Sequence, residues 1–211
     1  MIQKEDIIAF FDRCAPSWEA ELIRNERAIE RILDYAGVEK GVTVLDVACG
    51  TGVLFPDYRK RGVAAVTAID ISPEMAKIAE RNSQGSRIRV ICGDVEEAGL
   101  EEKFDVVMVY NAFPHSPDPQ RLIEILAGLT KEGGRLSIAH GMSRSKIDSH
   151  HQGAARGVSN GLMHEQALKE LFEPCFRVDV VISDEEMYQV CGVRRSLDQC
   201  YGAEKTLFSN T

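Results

Sequence analysis

The chain has 211 residues, a formal net charge of −8 and an isoelectric point near 5.2. That length suits one α/β domain with a single core, and the acidic balance disfavours non-specific nucleic-acid binding, which needs a dense basic face. No apolar run approaches the roughly 20 residues that span a bilayer, and the N-terminus is a poor secretory signal, so we expect a cytoplasmic protein without nucleic-acid or membrane partners.

Helix-forming and strand-forming patterns alternate along the chain. Residues 4–14 and 17–37 are predicted to form two helices separated by Pro16. Another helix should begin behind the cap Ser72, Gly133–Gly134 should form a turn, and the polar segment 141–161 should be a long loop. The other predicted helices are 53–62, 120–131 and 165–172, and the predicted strands are 42–47, 64–69, 87–92, 104–110, 135–140, 176–183 and 187–193.

This order predicts a mainly parallel sheet with helices on both faces, the doubly wound architecture of Rossmann-like α/β proteins. Only the acidic turn 184–186 separates the last two strands, so they should pair antiparallel as a C-terminal hairpin. We predict a single domain over residues 1–211, with N-terminal helices in 1–37, a Rossmann-like core in 42–193 and a tail in 194–211.

The most informative stretch is VLDVACGTG, residues 44–52, in which a buried strand runs into a glycine-rich turn. Asp70 ends the next apolar run, where an acid can accept hydrogen bonds from both hydroxyls of a ribose. The turn lacks the third small residue of a G-x-G-x-x-G/A dinucleotide site, and no Gly-Lys-Ser/Thr of a P-loop follows. The pattern therefore predicts a nucleoside site that is unsuited to a pyrophosphate.

Together with AIDIS around Asp70, Gly93–Asp94–Val95 and FDVVMVYNAFPH (residues 104–115), this turn resembles the motifs of class I S-adenosylmethionine-dependent methyltransferases. The resemblance covers about residues 10–193. It implies seven strands in the order 3-2-1-4-5-7-6, S-adenosylmethionine as the cofactor and S-adenosylhomocysteine as the product. The residues that we assign to the cofactor are Asp46, Ala48, Cys49, Gly50, Thr51, Gly52, Asp70, Ile71, Met75, Gly93, Asp94, Val95 and Asn111.

The chemistry of this cofactor agrees with the assignment. Asp46 can attract the ammonium group, and the turn N–H groups with the start of the following helix can face the carboxylate. Asp70 can bind the ribose hydroxyls, and Asp94 can accept a hydrogen bond from the adenine amino group. The apolar residues Ile71, Met75 and Val95 can pack on the adenine faces.

The acceptor should lie at the carboxyl ends of the strands. Phe10–Phe11–Asp12 with Trp18 resembles the opening of methyltransferases related to ubiquinone and menaquinone biosynthesis, which implies that the N-terminal helices close over the pocket as a lid. The candidate general bases are His115 and then His140. The candidate acceptor-binding residues are Phe11, Trp18, Phe113, His115, Arg144 and His151.

The histidines of the C-terminal half leave three interpretations open. They are solvated loop polarity, a positive pocket for an anionic or phenolic acceptor, or a metal site with a cysteine such as Cys14. Histidine ligands from different loops need no fixed spacing, so the sequence alone does not decide between them. We assign no metal ligands.

The sequence thus predicts a methyltransferase that moves the methyl group of S-adenosylmethionine to a small-molecule acceptor. One alternative is a non-catalytic sensor that binds S-adenosylmethionine or S-adenosylhomocysteine. The other is an S-adenosylmethionine enzyme with a histidine-bound metal near the acceptor. The identity of the acceptor, the methylated atom and the oligomeric state, a homodimer included, are not decided by the sequence.

Overall fold

The computed structural model describes residues 2–151 and 155–196, apart from the side chains of residues 150, 151 and 156. The helices are α1 (Lys4–Glu21), α2 (Glu26–Tyr35), α3 (Phe55–Arg61), α4 (Pro73–Ser83), α5 (Pro119–Leu129), α6 (Arg144–His151) and α7 (Glu165–Phe172), with short 3-10 turns at Phe113–His115 and Arg156–Val158. The strands are β1 (Thr43–Val47), β2 (Ala65–Asp70), β3 (Ile88–Cys92), β4 (Phe104–Tyr110), β5 (Thr130–His140), β6 (Phe176–Ser183) and β7 (Tyr188–Arg194).

The seven strands form one sheet in the order β3-β2-β1-β4-β5-β7-β6. The strands from β3 to β5 are parallel, and β7 pairs antiparallel with both β5 and β6. The predicted fold class, the strand order and the C-terminal hairpin are therefore confirmed. Among the described residues, no helix is both long and apolar enough to cross a membrane.

Each face of the sheet carries its own apolar core, because successive strand residues point to opposite faces. Val44 packs with Ile29 of α2 and Phe55 of α3 on one face. Its neighbour Leu45 packs on the other face with Leu126 of α5 and other residues of α5 and α7. The sheet is thus covered on both sides, and only the strand ends remain open to form a site.

The N-terminal helices differ from the prediction. Helix α1 runs through Pro16 to Glu21, and the break falls at residues 22–25 instead of at Pro16. Proline removes one helical hydrogen bond, but Ala15 beside it is buried against Met75 and Ile78 of α4, and this packing holds the helix together. Helix α2 begins only at Glu26, where the side chain of Asn25 accepts a hydrogen bond from Ala28 N.

Two further boundaries were predicted wrongly. Strand β5 begins at Thr130, so the pair Gly133–Gly134 lies inside the strand instead of in a turn before it. A Cβ on Gly134 would lie 2.8 Å from the carbonyl oxygen of Asp105, so glycine is required by the close approach of β4. The described part of the polar segment 141–161 is not all loop either, because it contains α6 and the second 3-10 turn.

Candidate active site

A cavity of about 540 Å³ lies at the carboxyl ends of the parallel strands. Its floor consists of residues that follow β1, β2, β3 and β4, and α1 covers it with Phe10, Phe11 and Trp18. A volume of this size is typical of a small-molecule site. Of the predicted site residues, the cavity is lined by Phe11, Trp18, Ala48, Cys49, Gly50, Asp70, Ile71, Met75, Gly93, Asp94, Val95, Asn111, Phe113, His115 and His140.

The turn after β1 has a backbone that few side chains tolerate. Ala48, Gly50 and Gly52 have φ values of 54°, 57° and 88°, in the left-handed region that favours glycine. A Cβ on Gly52 would lie only 2.4 Å from the ring of Phe55. Gly52 and the neighbouring Thr51 are buried and do not line the cavity, so their contribution to the site is the shape of the turn.

Asp70 ties this turn to the end of β2. One carboxylate oxygen accepts a hydrogen bond from Gly50 N at 2.7 Å, and the other accepts one from Ser72 N at 2.9 Å. The side chain is 6% exposed. Burial raises its pKa to about 6, although the two N–H groups act in the opposite direction. The carboxyl group therefore braces the turn and at the same time faces the cavity.

Asp46 lies beneath the turn and does not line the cavity. It is 2% exposed, and its Oδ2 has no hydrogen-bond partner among the described residues. Burial, and to a smaller extent the nearby charge of Asp70, raises the pKa of Asp46 to about 8, although the neighbouring hydroxyl of Tyr58 acts in the opposite direction. A buried carboxyl oxygen without a hydrogen-bond donor is costly, so this carboxyl group favours a positive charge on the turn above it.

The segment after β3 is held by α1. Asp94 Oδ1 accepts a hydrogen bond from Glu96 N at 2.9 Å, and Oδ2 pairs with the ammonium group of Lys4. The same ammonium group lies 3.1 Å from Glu97 Oε1. Both oxygens of Asp94 thus have protein partners, and one of these partners belongs to the helix that covers the cavity.

Helix α1 makes two more polar contacts with the core. Asp12 Oδ1 accepts hydrogen bonds from Ser72 Oγ at 2.6 Å and from Glu74 N at 3.2 Å. Near the other end of the helix, Glu19 accepts a hydrogen bond from Asn82 Nδ2 at 2.7 Å. The polar contacts of α1 therefore reach two core segments, namely α4 with its N-cap and the segment after β3.

His115 belongs to the 3-10 turn after β4. Its Nδ1 is 2.7 Å from the carbonyl oxygen of Val158, which can only accept a hydrogen bond, so Nδ1 carries the proton and Nε2 is the basic nitrogen. The ring also packs edge-on against Phe11 of α1, with the ring centroids 5.0 Å apart. His140 is 3% exposed at the end of β5 and packs edge-on against Tyr188.

Two predicted acceptor residues are not brought to the cavity by their described atoms. Arg144 does not line the cavity. Its guanidinium group forms ion pairs with Asp148 at 3.7 Å and with Glu165 at 3.9 Å. The side chain of His151 lies outside the described residues. Cys14, the cysteine considered for a metal site, packs beside Phe11. Among the side chains that the structure describes, which exclude those of residues 150 and 151, no group of three or more His, Cys, Asp or Glu could hold a metal ion.

Several cavity residues were not predicted from the sequence. Glu21 and Ile23 line it from the end of α1 and the segment that follows, and Tyr110 and Met142 line it from the ends of β4 and β5. Ile23 is 87% exposed. Glu21 and Ile23 were missed because the helix break was predicted at Pro16. For Tyr110 and Met142 a signal was available, since they lie at or near the carboxyl ends of strands.

Comparisons with known proteins agree with this geometry. Residues 45–138 match the family model described as a methyltransferase domain. A ubiquinone biosynthesis O-methyltransferase of Coxiella burnetii is 31% identical over 145 residues, which cover 64% of this chain and 61% of that protein. Its counterpart from Xanthomonas campestris is 38% identical over 114 residues, which cover 51% and 47%. The chain therefore matches less than two thirds of the length of these curated relatives.

Solved structures share the fold at low sequence identity. The N-methyltransferase NodS of Bradyrhizobium japonicum, in complex with S-adenosylhomocysteine, aligns with a TM-score of 0.70, 15% identity and coverage of 90% of this chain and 98% of NodS. Magnesium protoporphyrin IX methyltransferase of Synechocystis, with the same bound compound, aligns with a TM-score of 0.69 and 18% identity, and the alignment covers 91% of this chain and 100% of that chain. At these identities the likeness concerns the fold.

Proposed function

We propose that this chain belongs to the class I S-adenosylmethionine-dependent methyltransferases. It transfers a methyl group from S-adenosylmethionine to a small-molecule acceptor that lies beneath α1. One observation carries the proposal. The glycine turn after β1, Asp70 after β2 and Gly93–Val95 after β3 face a single cavity of about 540 Å³. These three segments can serve the amino-acid, ribose and adenine parts of one molecule.

The residues present fit this cofactor. Asp46 has an unpartnered, buried Oδ2 beneath the turn, which favours a cationic ammonium group above it. Asp70 can accept hydrogen bonds from the ribose hydroxyls, since each carboxylate oxygen has capacity beyond its one backbone donor. Asp94 can accept from the adenine amino group by the same argument. When bound, the cofactor supplies a methyl group that is already activated by the sulfonium.

The protein's own share of the chemistry is positioning and exclusion of water. Phe10, Phe11 and Trp18 of α1 form an apolar cover over the cavity. Such a cover keeps water from competing with the acceptor, and it holds the acceptor close to the methyl group. We therefore propose that α1 acts as the lid of this site.

We further propose a hydroxyl acceptor with His115 as its base. The hydrogen bond from Nδ1 to Val158 leaves Nε2 as the nitrogen that can take a proton from the acceptor. The two relatives reported above are named O-methyltransferases, and a hydroxyl group that keeps its proton at neutral pH benefits from a base. His140 lines the same cavity and is the second candidate.

The experiment uses the purified chain. Isothermal titration should detect binding of S-adenosylmethionine and S-adenosylhomocysteine, and radiolabelled methyl transfer should then be screened over small phenols, amines and thiols. Tight cofactor binding without transfer to any acceptor would favour the sensor alternative. Activity that tracks a stoichiometric metal in elemental analysis would favour the metal alternative. No cofactor binding at millimolar concentration by folded protein would refute the proposed function.

A further inference from the structure

A continuous series of hydrogen bonds leads from α1 to the glycine turn. Asp12 Oδ1 accepts from Ser72 Oγ at 2.6 Å. The backbone N–H of Ser72 donates to Asp70 Oδ1 at 2.9 Å, and Asp70 Oδ2 accepts from Gly50 N at 2.7 Å. Ser72 and Asp70 thus join Asp12 of the covering helix to the turn, and Asp70 is the acid of this series that faces the cavity.

Asp12 also completes the N-terminus of α4. The first N–H groups of a helix have no partner within it. Ser72 Oγ accepts from Met75 N at 3.2 Å, as an N-cap residue does, and Asp12 accepts from Glu74 N at 3.2 Å. If α1 moved away, Glu74 N and the hydroxyl of Ser72 would lose this acceptor together. The start of α4, which directly follows Asp70, would then be less well held.

The apolar side of the contact depends on the same alignment. Phe11, Cys14 and Trp18 of α1 pack against Met75 and Ile78 of α4. Met75 is also a cavity residue. The carboxylate of Asp12 lies on the same face of α1 as this packing, so it fixes α1 along α4 as well as capping the helix.

We propose that Asp12 is a positioning residue that couples closure of α1 to the placement of Asp70 for ribose binding. This rests on the proposed function, because it assumes that S-adenosylmethionine binds in this cavity. When α1 is closed, Asp12 accepts a hydrogen bond from the hydroxyl of Ser72. The N–H of Ser72 donates to Asp70, and Asp70 accepts from the turn. By thermodynamic reciprocity, a cofactor that binds the ordered turn more tightly must in the same measure favour the closed helix.

The other polar contacts of α1 do not reach Asp70. Glu19 contacts Asn82 at an exposed position, and Asn82 donates a second, partly buried hydrogen bond to the carbonyl oxygen of Thr51 in the turn at 2.9 Å. Lys4 contacts Asp94 and Glu97 at the opposite end. The route from α1 to Asp70 therefore runs through Asp12, and an acid of α1 that belongs to neither series provides the control.

The test compares the wild type with Asp12→Ala, Asp12→Asn and Ser72→Ala, and with Asp6→Ala as the matched control, since Asp6 is an exposed acid of the same helix. Affinity for S-adenosylmethionine is measured by isothermal titration. Asp12→Ala should weaken binding about tenfold, within the range usual for coupled sites. Asp12→Asn retains an oxygen acceptor and should stay within about threefold of the wild type. Asp6→Ala should not change the affinity.

Hydrogen exchange followed by mass spectrometry measures whether the cofactor favours the closed position of α1. If Asp12 contributed only to the stability of the fold, its substitution would not change this response to the cofactor. Saturating S-adenosylmethionine should slow exchange over residues 4–21 in the wild type and in Asp12→Asn, and it should have little effect there in Asp12→Ala. The double variant Asp12→Ala/Ser72→Ala should bind no more weakly than the weaker single variant, because both changes break the same series.

Several results would overturn the coupling. They are equal affinities of Asp12→Ala and the wild type, an α1 whose exchange in the wild type is unaffected by the cofactor, or additive losses in the double variant. Should Asp12→Ala fail to fold, Ser72→Ala and the wild-type exchange experiment still decide the matter. A wild type that is folded but binds no S-adenosylmethionine would instead refute the proposed function, and the coupling would fall with it.

Discussion

Replacing Asp46 with asparagine should stabilise the protein without ligand, most strongly at alkaline pH. The carboxyl group is 2% exposed, and its Oδ2 has no hydrogen-bond partner among the described residues. Burial raises its pKa from 3.8 to about 8. The folded protein therefore holds this proton more tightly than the unfolded chain does. Stability from this group is fully present below pH ~4 and is lost progressively as the pH rises to about 8.

The size of the effect follows from the two pKa values. Each pH unit inside this window costs about 1.4 kcal/mol of unfolding free energy, because the unfolded chain has released the proton and the folded chain has not. Between pH 5 and pH 8 the wild type should therefore lose up to about 4 kcal/mol relative to Asp46→Asn. The asparagine keeps the shape of the side chain and does not titrate, so this pH-dependent loss is absent from the variant.

Urea unfolding at intervals from pH 5 to pH 8 measures this difference. Asp46→Ala is the control. It opens a cavity and therefore lowers the overall stability, but it also lacks the carboxyl group. Its stability relative to the wild type should therefore also rise with pH. Titration with S-adenosylmethionine completes the assay, and Asp46→Asn should bind it more weakly. If the stabilities of the wild type and Asp46→Asn run parallel over this range, Asp46 is not a buried acid with a raised pKa.

Three other substitutions test the turn, the ribose acid and the base. Gly52→Ala places a Cβ 2.4 Å from the ring of Phe55 at a φ of 88° and should lower the unfolding free energy by about 2–4 kcal/mol in urea titrations. The control is Gly99→Ala, which has a positive φ but open space around the Cβ and should cost only about 1 kcal/mol. Equal losses in the two variants would exclude the contact with the Phe55 ring. Asp70→Ala should weaken S-adenosylmethionine binding by about 1.5–3 kcal/mol in isothermal titration, and an unchanged affinity would remove the ribose assignment. His115→Ala should leave cofactor affinity intact but slow methyl transfer to a hydroxyl acceptor at least about 100-fold, whereas normal turnover would eliminate it as the base.

The sheet could be predicted from the sequence because its signals are local. Buried strands are short apolar runs, and the turn of residues 184–186 is too short for a crossover helix, which fixes the antiparallel hairpin. The break between α1 and α2 was misplaced because a proline is a strong local signal. Its effect was outweighed by the burial of Ala15 against α4, a contact between residues far apart in the chain. The cap at Asn25 was the better local signal.

The site was predictable to the extent that it follows strand ends. The turn after β1, Asp70 and Asp94 come directly after strands, so their convergence follows from the order of the sheet. The partners of these residues are a different matter. Asp12 meets Ser72, and Lys4 meets Asp94, across 60 and 90 residues of chain, and charge patterning gives no hint of either pairing.

The groups around this turn also give a physical reason why the ligand that we propose is a cationic nucleoside instead of a dinucleotide. In a dinucleotide site the N–H groups of the turn face a pyrophosphate. Here the N–H of Gly50 already donates to Asp70, and the carboxyl group of Asp46 is buried under the same turn. A pyrophosphate would lie against the carboxyl group of Asp70 and above the buried acid Asp46, whereas a ligand that brings an ammonium and a sulfonium would favour the charged form of both carboxyl groups. In the proposed site, the choice of cofactor would thus depend on the two acids next to the turn as much as on the glycines in it.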